Sequence, residues 1–414
     1  MVGLVFHSGF ETGDFTEWGS TTGSPEVQSA IKKTGTYAMR CNADNSYAKG
    51  TISIDNFSGS FYLLVSIAPT SSIHLTYVSC QSNTLYGAAR IKLSNELKVG
   101  FVGSGGAVSY GTTILSLDTW YRLSWYIEAV GYIRLYLNGM LELGPLTVYT
   151  HATNQDCVVG IDDTAYGADL YFDDIVISDS KTEAPGDIRV LRSSPKADGT
   201  NQGFDTPYPT GARPWYDRVD ECPFDAANSY VRRAASTELY ETYNVQDRAD
   251  LGLSASDTIK AINTICWLKR GNGGTTTHYQ TEYDGANYNT TRTLATAYAA
   301  FQIYRATAPT SGDWTWAAFD AYEAGAGGAG AQDTFLGCVM VMVAFIPAAP
   351  SGYYHGLKVQ PVGELALCDV GSHPLRICKG GVTYGIELVA TDDPNASKIR
   401  IKTPAGIKAI RKYT

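Results

Sequence analysis

The chain predicts an all-β protein: a sandwich or jelly roll, a second β-sandwich domain and a small C-terminal β-module. Three observations lead there. Tyr (28 residues) and Gly (42 residues), with many Thr, Ser and Val, form the composition of sheets joined by tight turns. Charged residues are 18% and hydrophobic ones 44% of the 414 residues, which excludes a disordered chain. No periodic helical or heptad pattern runs through the sequence, whereas short alternating stretches between turn residues do.

The first block, residues 1–180, supplies strands at Gly59–Ile67, Ile73–Ser79, Leu97–Val102, Trp120–Ala129, Gly131–Leu137 and Asp169–Ile177. In Tyr132–Leu137 the residues Ile133, Leu135 and Leu137 share one face, and Asn138-Gly139 then supplies a type I′ hairpin turn. The same alternation turns Trp125 inward with Leu123 and Tyr126 outward. A Ser-, Asp-, Gly- and Pro-rich break covers 178–228, with a strand at Asp187–Leu191. The second domain, 187–349, shows strands at Ala261–Lys269, Thr277–Tyr283 and Ala299–Ala306, and turns at Asn272-Gly273 and Asp284-Gly285. A helix is expected over Thr315–Ala324, with the following Gly/Ala tract as its stop and a surface loop. The module 353–414 carries strands at Leu375–Lys379, Thr383–Val389 and Lys398–Lys402, then a turn at Pro404–Gly406.

Charge and cysteine content bound the function. The net charge of −9 argues against a general nucleic-acid binder. It is unevenly spread: residues 375–414 carry net +5, so a basic end that includes Lys408, Arg411 and Lys412 follows a body near −14. That split suits docking onto an acidic neighbour. The eight cysteines form no C-x-x-C pair and mostly sit between apolar residues, as small hydrophobes of a chain folded in a reducing cytoplasm. The N-terminus lacks the basic and apolar regions of a signal peptide. The most apolar run, Phe335–Ala349, is too short to span a bilayer, so no membrane insertion is expected.

Three motifs in order carry a resemblance. The chain opens with Gly9-Phe10-Glu11-Thr12-Gly13-Asp14 and Trp18, continues with Thr34-Gly35-Thr36-Tyr37-Ala38-Met39-Arg40, and closes with Tyr171-Phe172-Asp173-Asp174-Ile175. This resembles concanavalin A-like, LamG-type jelly rolls and calcium-containing carbohydrate-binding modules, and so implies a concanavalin A-like jelly-roll sandwich for residues 1–180. The stretch Tyr171–Gly199, the Trp314–Gly325 pattern and the C-terminal LRICKGGVTYGIEL look like bacteriophage virion structural proteins. The resemblance implies a virion protein assembled in the host cytoplasm and exposed on the particle, as a capsid decoration or tail-associated subunit. Its partners would be other virion proteins and further copies of itself. The alternative is an adhesin binding a host surface glycan, and a glycoside hydrolase stands third.

The resemblance also implies a structural Ca2+ held by Glu11 and Asp174, with a carbonyl from Gly35 or Thr36 and with Asp173 and Asp14 in reserve. Hard oxygen ligands of that kind suit calcium. On a regular strand Asp173 and Asp174 point to opposite faces, so one of them is expected at the site. Glycan stacking would draw on Tyr62, Tyr77, Tyr86, Tyr110, Trp120, Trp125, Tyr126, Tyr132 or Tyr136, most of which a sandwich core would consume. For catalysis, Glu282-Tyr-Asp284-Gly-Ala-Asn287 begins the jelly-roll glucanase pattern, but Asn stands where the acid/base belongs. The series Glu11, Asp14, Glu17 has the wrong spacing for one strand face. No P-loop, dinucleotide, zincin or nucleophile-elbow motif is present, so a non-enzyme with no catalytic residues is expected.

Overall fold

The computed structural model describes residues 3–348, except 53–57, 81–87, 103–105, 128–131, 148–154, 181, 226–227, 235–236, 273–275 and 311, and beyond them the strands between Ala366 and Ile410. The protein is all-β, and the described strands pair antiparallel throughout. Two sheets make the first sandwich. One runs Met140–Thr147, Tyr132–Leu137, Trp120–Ile127, Ser58–Ile67, Asp169–Ser178, Ala38–Cys41, Glu26–Gln28, with the opening strand Leu4–Ser8 also on Asp169–Ser178. The other runs Val108–Ile114, Lys98–Val102, Ala88–Leu93, Ile73–Cys80, Gln155–Ile161, Ser46–Ile52, Ser20–Thr22. Alternation does what it predicts: Leu123 and Trp125 enter the core with Phe61, Phe172 and Phe101, while Tyr126 stays outside it. At Asn138 and Gly139 φ is +50° and +81°, the paired left-handed values of a type I′ turn.

The second sandwich faces one sheet (Thr206–Tyr208, Tyr230–Arg233, Thr334–Ile346, Thr258–Arg270, Ala299–Arg305, with Arg189–Ser193 on Thr334–Ile346) against another (Pro195–Gln202, Leu239–Val245, Glu323–Gly330, Thr276–Tyr283, Asn287–Arg292). Strand Thr334–Ile346 explains the most apolar run of the sequence. Val339, Val341 and Val343 fill the second core, while Cys338, Met340, Met342 and Ala344 are buried on the opposite face. Both faces are covered, so no polar alternation survives.

The expectation for the Gly/Ala tract is overturned. The helix is only Trp316–Asp320, capped by the Thr315 hydroxyl, and Glu323–Gly330 is a strand in the middle of its sheet. Ala324 and Ala326 face the core. On the other face a Cβ at Gly327 would overlap the Tyr240 ring, so glycine is there to let that side chain lie flat. The tract reads as a breaker locally, and its neighbours decide otherwise.

The two sandwiches belong to one compact unit. An apolar seam joins Leu4 and Val176 of the first with Ile188, Ala261 and Ala344 of the second. Polar contacts cross it too. Tyr304 donates its hydroxyl to the His7 carbonyl at 3.3 Å, and Gln302 Nε2 donates to the Thr16 carbonyl at 3.1 Å. Taken by itself, the C-terminal part is a meander of Ala366–Cys368, Arg376–Lys379, Val382–Glu387, Ile399–Thr403 and Gly406–Ile410. The turns expected at Asn272-Gly273 and Pro404–Gly406 fall partly, and the side chains of Lys408, Arg411 and Lys412 wholly, outside the described residues. Among the described residues no helix is long and apolar enough to cross a membrane.

Candidate carboxylate site at the sandwich junction

Glu11, Thr36, Asp173 and Asp174 are brought around one loop, Lys33–Tyr37. Glu11 Oε1 accepts from the backbone N–H of Thr36 at 2.8 Å and of Tyr37 at 3.1 Å. The chain can pass that close because Gly35 has φ +64° and no side chain; a Cβ there would overlap the Glu11 carboxylate. Asp173 Oδ2 accepts from Lys33 N–H at 2.8 Å and Thr34 N–H at 3.1 Å. Asp174 takes the Thr34 hydroxyl at 2.9 Å and the Val190 N–H at 2.7 Å, which ties the first sandwich to the second.

Here too the structure corrects an expectation. Asp173 and Asp174 do not diverge to opposite faces. Pairing with Ser58–Ile67 slips between Asp173 and Val176, and Asp174 sits at φ +49°. This bulge turns both carboxylates toward the Lys33–Thr34 segment. Asp, which tolerates the left-handed region, is the residue type that allows it. Asp14 stays out of the site and accepts the Thr16 N–H in a local turn at 2.8 Å.

Sequence reasoning missed much of the surrounding network. Glu17 is buried, accepts Thr12 N–H at 3.3 Å, and has its second oxygen without a partner. Asp187 holds Arg189 at 2.7 Å and receives the Tyr62 hydroxyl at 2.6 Å, and the Arg189 guanidinium lies 4.5 Å from the Tyr62 ring centroid. Their partners lie up to 155 residues away, as in the Arg189–Thr34 contact, so no local signal announces them. Burial pushes the carboxyls up: Glu11 to about 7 and Glu17 to about 8. It carries Asp174 to about 7 against the pull of Arg189. Asp173 is raised by burial and by the neighbouring Asp174 charge. Asp187 goes the other way, because Arg189 and Tyr62 outweigh its burial.

Calcium fits part of this arrangement. Glu11 and Asp174 offer hard oxygens, and Glu11 Oε2 is buried without a partner. Thr36, however, turns its N–H and not its carbonyl to Glu11. Among the described residues no three His, Cys, Asp or Glu side chains converge on one metal position.

The glycan candidates of the first sandwich are mostly spent on packing. Trp125 is core, Tyr62 is bonded to Asp187, Tyr126 stacks on Tyr136 at 6.1 Å and Tyr110 donates to Ser72. Trp120 is half-buried and Tyr132 is exposed, while the side chains of Tyr77 and Tyr86 lie outside the described residues. The described cysteines Cys41, Cys157, Cys222, Cys266 and Cys338 are all unbridged.

Glu282 is fully buried and pairs with Arg305 at 2.6 Å, while its other oxygen takes the Tyr322 hydroxyl at 2.5 Å. Asp284 sits in the hairpin turn and accepts the Thr310 hydroxyl. A carboxylate held this way is a strut. Glu282→Ala strands the Arg305 charge, which is one-third exposed, so the expected loss is about 2–4 kcal/mol of stability in urea titration. An unchanged urea midpoint would contradict the strut.

No protein-family model matches the chain, and no curated protein matches it. Solved structures show partial likenesses. The cellulose-induced protein Cip1 is 14% identical at TM-score 0.33, covering 42% of this chain and 97% of its own. Domain 4 of AbnA, a GH43 extracellular arabinanase from Geobacillus stearothermophilus in complex with arabinotriose, is 14% identical at TM-score 0.33, covering 43% and 92%. Trypanosoma rangeli sialidase is 11% identical at TM-score 0.31; the match covers 38% of this chain and 27% of the sialidase. At these scores the likenesses carry no argument about function.

Proposed function

We propose that this chain is a non-enzymatic structural protein exposed on a bacteriophage particle, as a capsid decoration or tail-associated subunit. The observation that supports a structural role is the use made of its buried carboxylates. Glu11, Asp173 and Asp174 hold the Lys33–Tyr37 loop, Asp174 also holds the second sandwich, and Glu282 holds Arg305. Each is engaged in binding one part of the chain to another. The virion setting rests on the sequence resemblance around Tyr171–Gly199. An antibody against residues 1–180 is expected to label intact particles over the head or at the tail. Particles without label remove the virion reading. The protein is also expected not to hydrolyse β-glucans or bacterial surface polysaccharide. Turnover that disappears in Glu282→Gln would overturn the non-enzyme reading.

A structural calcium belongs to the same proposal. Chelator is expected to lower the melting temperature of the full chain by several degrees, since an ion bound only to the folded state stabilises it. Glu11→Ala is expected to abolish that sensitivity. A melting curve indifferent to chelator, with no metal retained by elemental analysis, removes the calcium. Adhesion to a host glycan is the second reading, favoured by the exposed Tyr208 stacked on Tyr230.

A further inference from the structure

At the end of the second sandwich farthest along strand Thr258–Arg270, the outer sheet face carries rings and a cation. Register places Lys269 beside Phe335, and Phe335 beside Arg232. Tyr208 and Tyr230 sit opposite each other on neighbouring strands, with rings stacked at 5.2 Å and 14°. Tyr230 meets Phe335 edge-on at 5.4 Å. The Lys269 ammonium lies 4.4 Å from the Tyr298 ring centroid, 4.9 Å from that of Phe335 and 5.8 Å from that of Tyr230.

Two facts mark this cluster off from ordinary packing. Among the described residues Lys269 has no carboxylate within ion-pair distance and no hydrogen-bond acceptor; its neighbours are ring faces. Rings attract an ammonium but leave its N–H donors unfilled. The Tyr298 hydroxyl beside it is also buried without a partner. Across the Tyr230 ring from this unfilled polar centre stands Tyr208, on the edge strand of the sheet, a large ring that is 47% exposed. Arg232 adds a second cation, 3.7 Å from Asp333. On a chain of net charge −9, an unpaired cation framed by aromatic faces is a local reversal of sign.

We propose that this face binds an acidic saccharide, with the Lys269 ammonium on a sugar carboxylate and the Tyr208 ring against the C–H face of a pyranose. The ammonium supplies charge selection, and the stacked pair Tyr208–Tyr230 supplies a flat apolar platform already ordered before binding. The proposal gives the adhesive reading its site and rests on that reading, not on the virion setting.

The test is calorimetric titration of the full chain with tetragalacturonate, and in parallel with the neutral galactose tetramer. Tetragalacturonate is expected to bind at least about tenfold tighter than the neutral tetramer, as one charged hydrogen bond supplies that factor. Its affinity is expected to fall as salt is raised. Lys269→Gln is expected to bring the acidic probe down to the neutral level, with Lys269→Arg restoring part of the difference. Tyr208→Ala is expected to weaken both probes. Near-UV circular dichroism and melting temperature confirm that the variants are folded. No tetragalacturonate binding at millimolar concentration, equal binding of both probes, or undiminished binding by folded Lys269→Gln overturns the proposal. Particle labelling is scored separately: labelled particles with no saccharide binding lose the adhesive site and keep the structural role.

Discussion

Gly325→Val is expected to leave the second sandwich unfolded. Gly325 lies in the central strand of its sheet, paired with Thr242 on one side and Thr281 on the other. A Cβ there would overlap the Glu241 carbonyl oxygen and stand 2.9 Å from the Thr242 Cα. Both are backbone atoms in a paired strand, so neither can swing aside as a side-chain tip could. The sheet must part to admit valine. Overpacking that displaces backbone belongs to the rare class costing more than about 4 kcal/mol. That rivals the net stability of a whole domain, about 5–15 kcal/mol. Ala324→Gly, one residue away and facing the core, loses only a methyl and some backbone restraint, about 1–2 kcal/mol. Near-UV circular dichroism and urea midpoints of the two variants check this. A Gly325→Val protein that melts with the wild type would show that the tract does not run through the sheet.

The second large effect concerns pH. Stability is expected to fall from about pH 5 to pH 8, and Glu17→Gln is expected to remove much of the fall. Burial raises the Glu17 carboxyl from its ordinary 4.5 to about 8 in the folded protein. Its neutral form therefore favours folding. The contribution is complete below the unfolded value and is lost as pH rises through the folded one. Glu11 and Asp174, each raised to about 7 by burial, act in the same direction. His7 acts in the opposite sense: burial lowers it to about 4, so its contribution is present above 6.5 and is lost on acidification. A tenfold change in proton affinity between the folded and unfolded chain corresponds to about 1.4 kcal/mol, so Glu17 alone contributes a few kcal/mol to the fall by pH 8. Calorimetric melting at half-unit steps of pH, in chelator, reads it directly. A flat wild-type profile, or a Glu17→Gln profile equally steep, contradicts the assignment.

What is legible in the sequence depends on how far each cause lies along the chain. The hairpin at Tyr132–Leu137 and Asn138-Gly139 is written locally, by alternation and by two residues that accept positive φ, and the structure carries it. The Gly/Ala tract misleads for the opposite reason. Its strand is imposed by Tyr240 and Glu241, more than 80 residues earlier, which need bare backbone beside them. Strict alternation sends Asp173 and Asp174 apart, and one inserted bulge residue brings them together. The opening and closing motifs supply Glu11 and Asp174, which the structure sets on the same Lys33–Tyr37 loop. Glu17 stands in the opening series with Glu11 and Asp14 but its burial is not written there, and Asp187 and the Lys269 cluster belong to no motif; all become visible only in the folded chain.

The seam between the sandwiches also has a mechanical meaning. Leu4 and Val176 lie on Ile188, Ala261 and Ala344, and the Asp174–Val190 hydrogen bond is made where the chain passes from one sandwich to the next. A load applied to one sandwich therefore reaches the other through packed side chains and a buried hydrogen bond, and not through a swivelling tether.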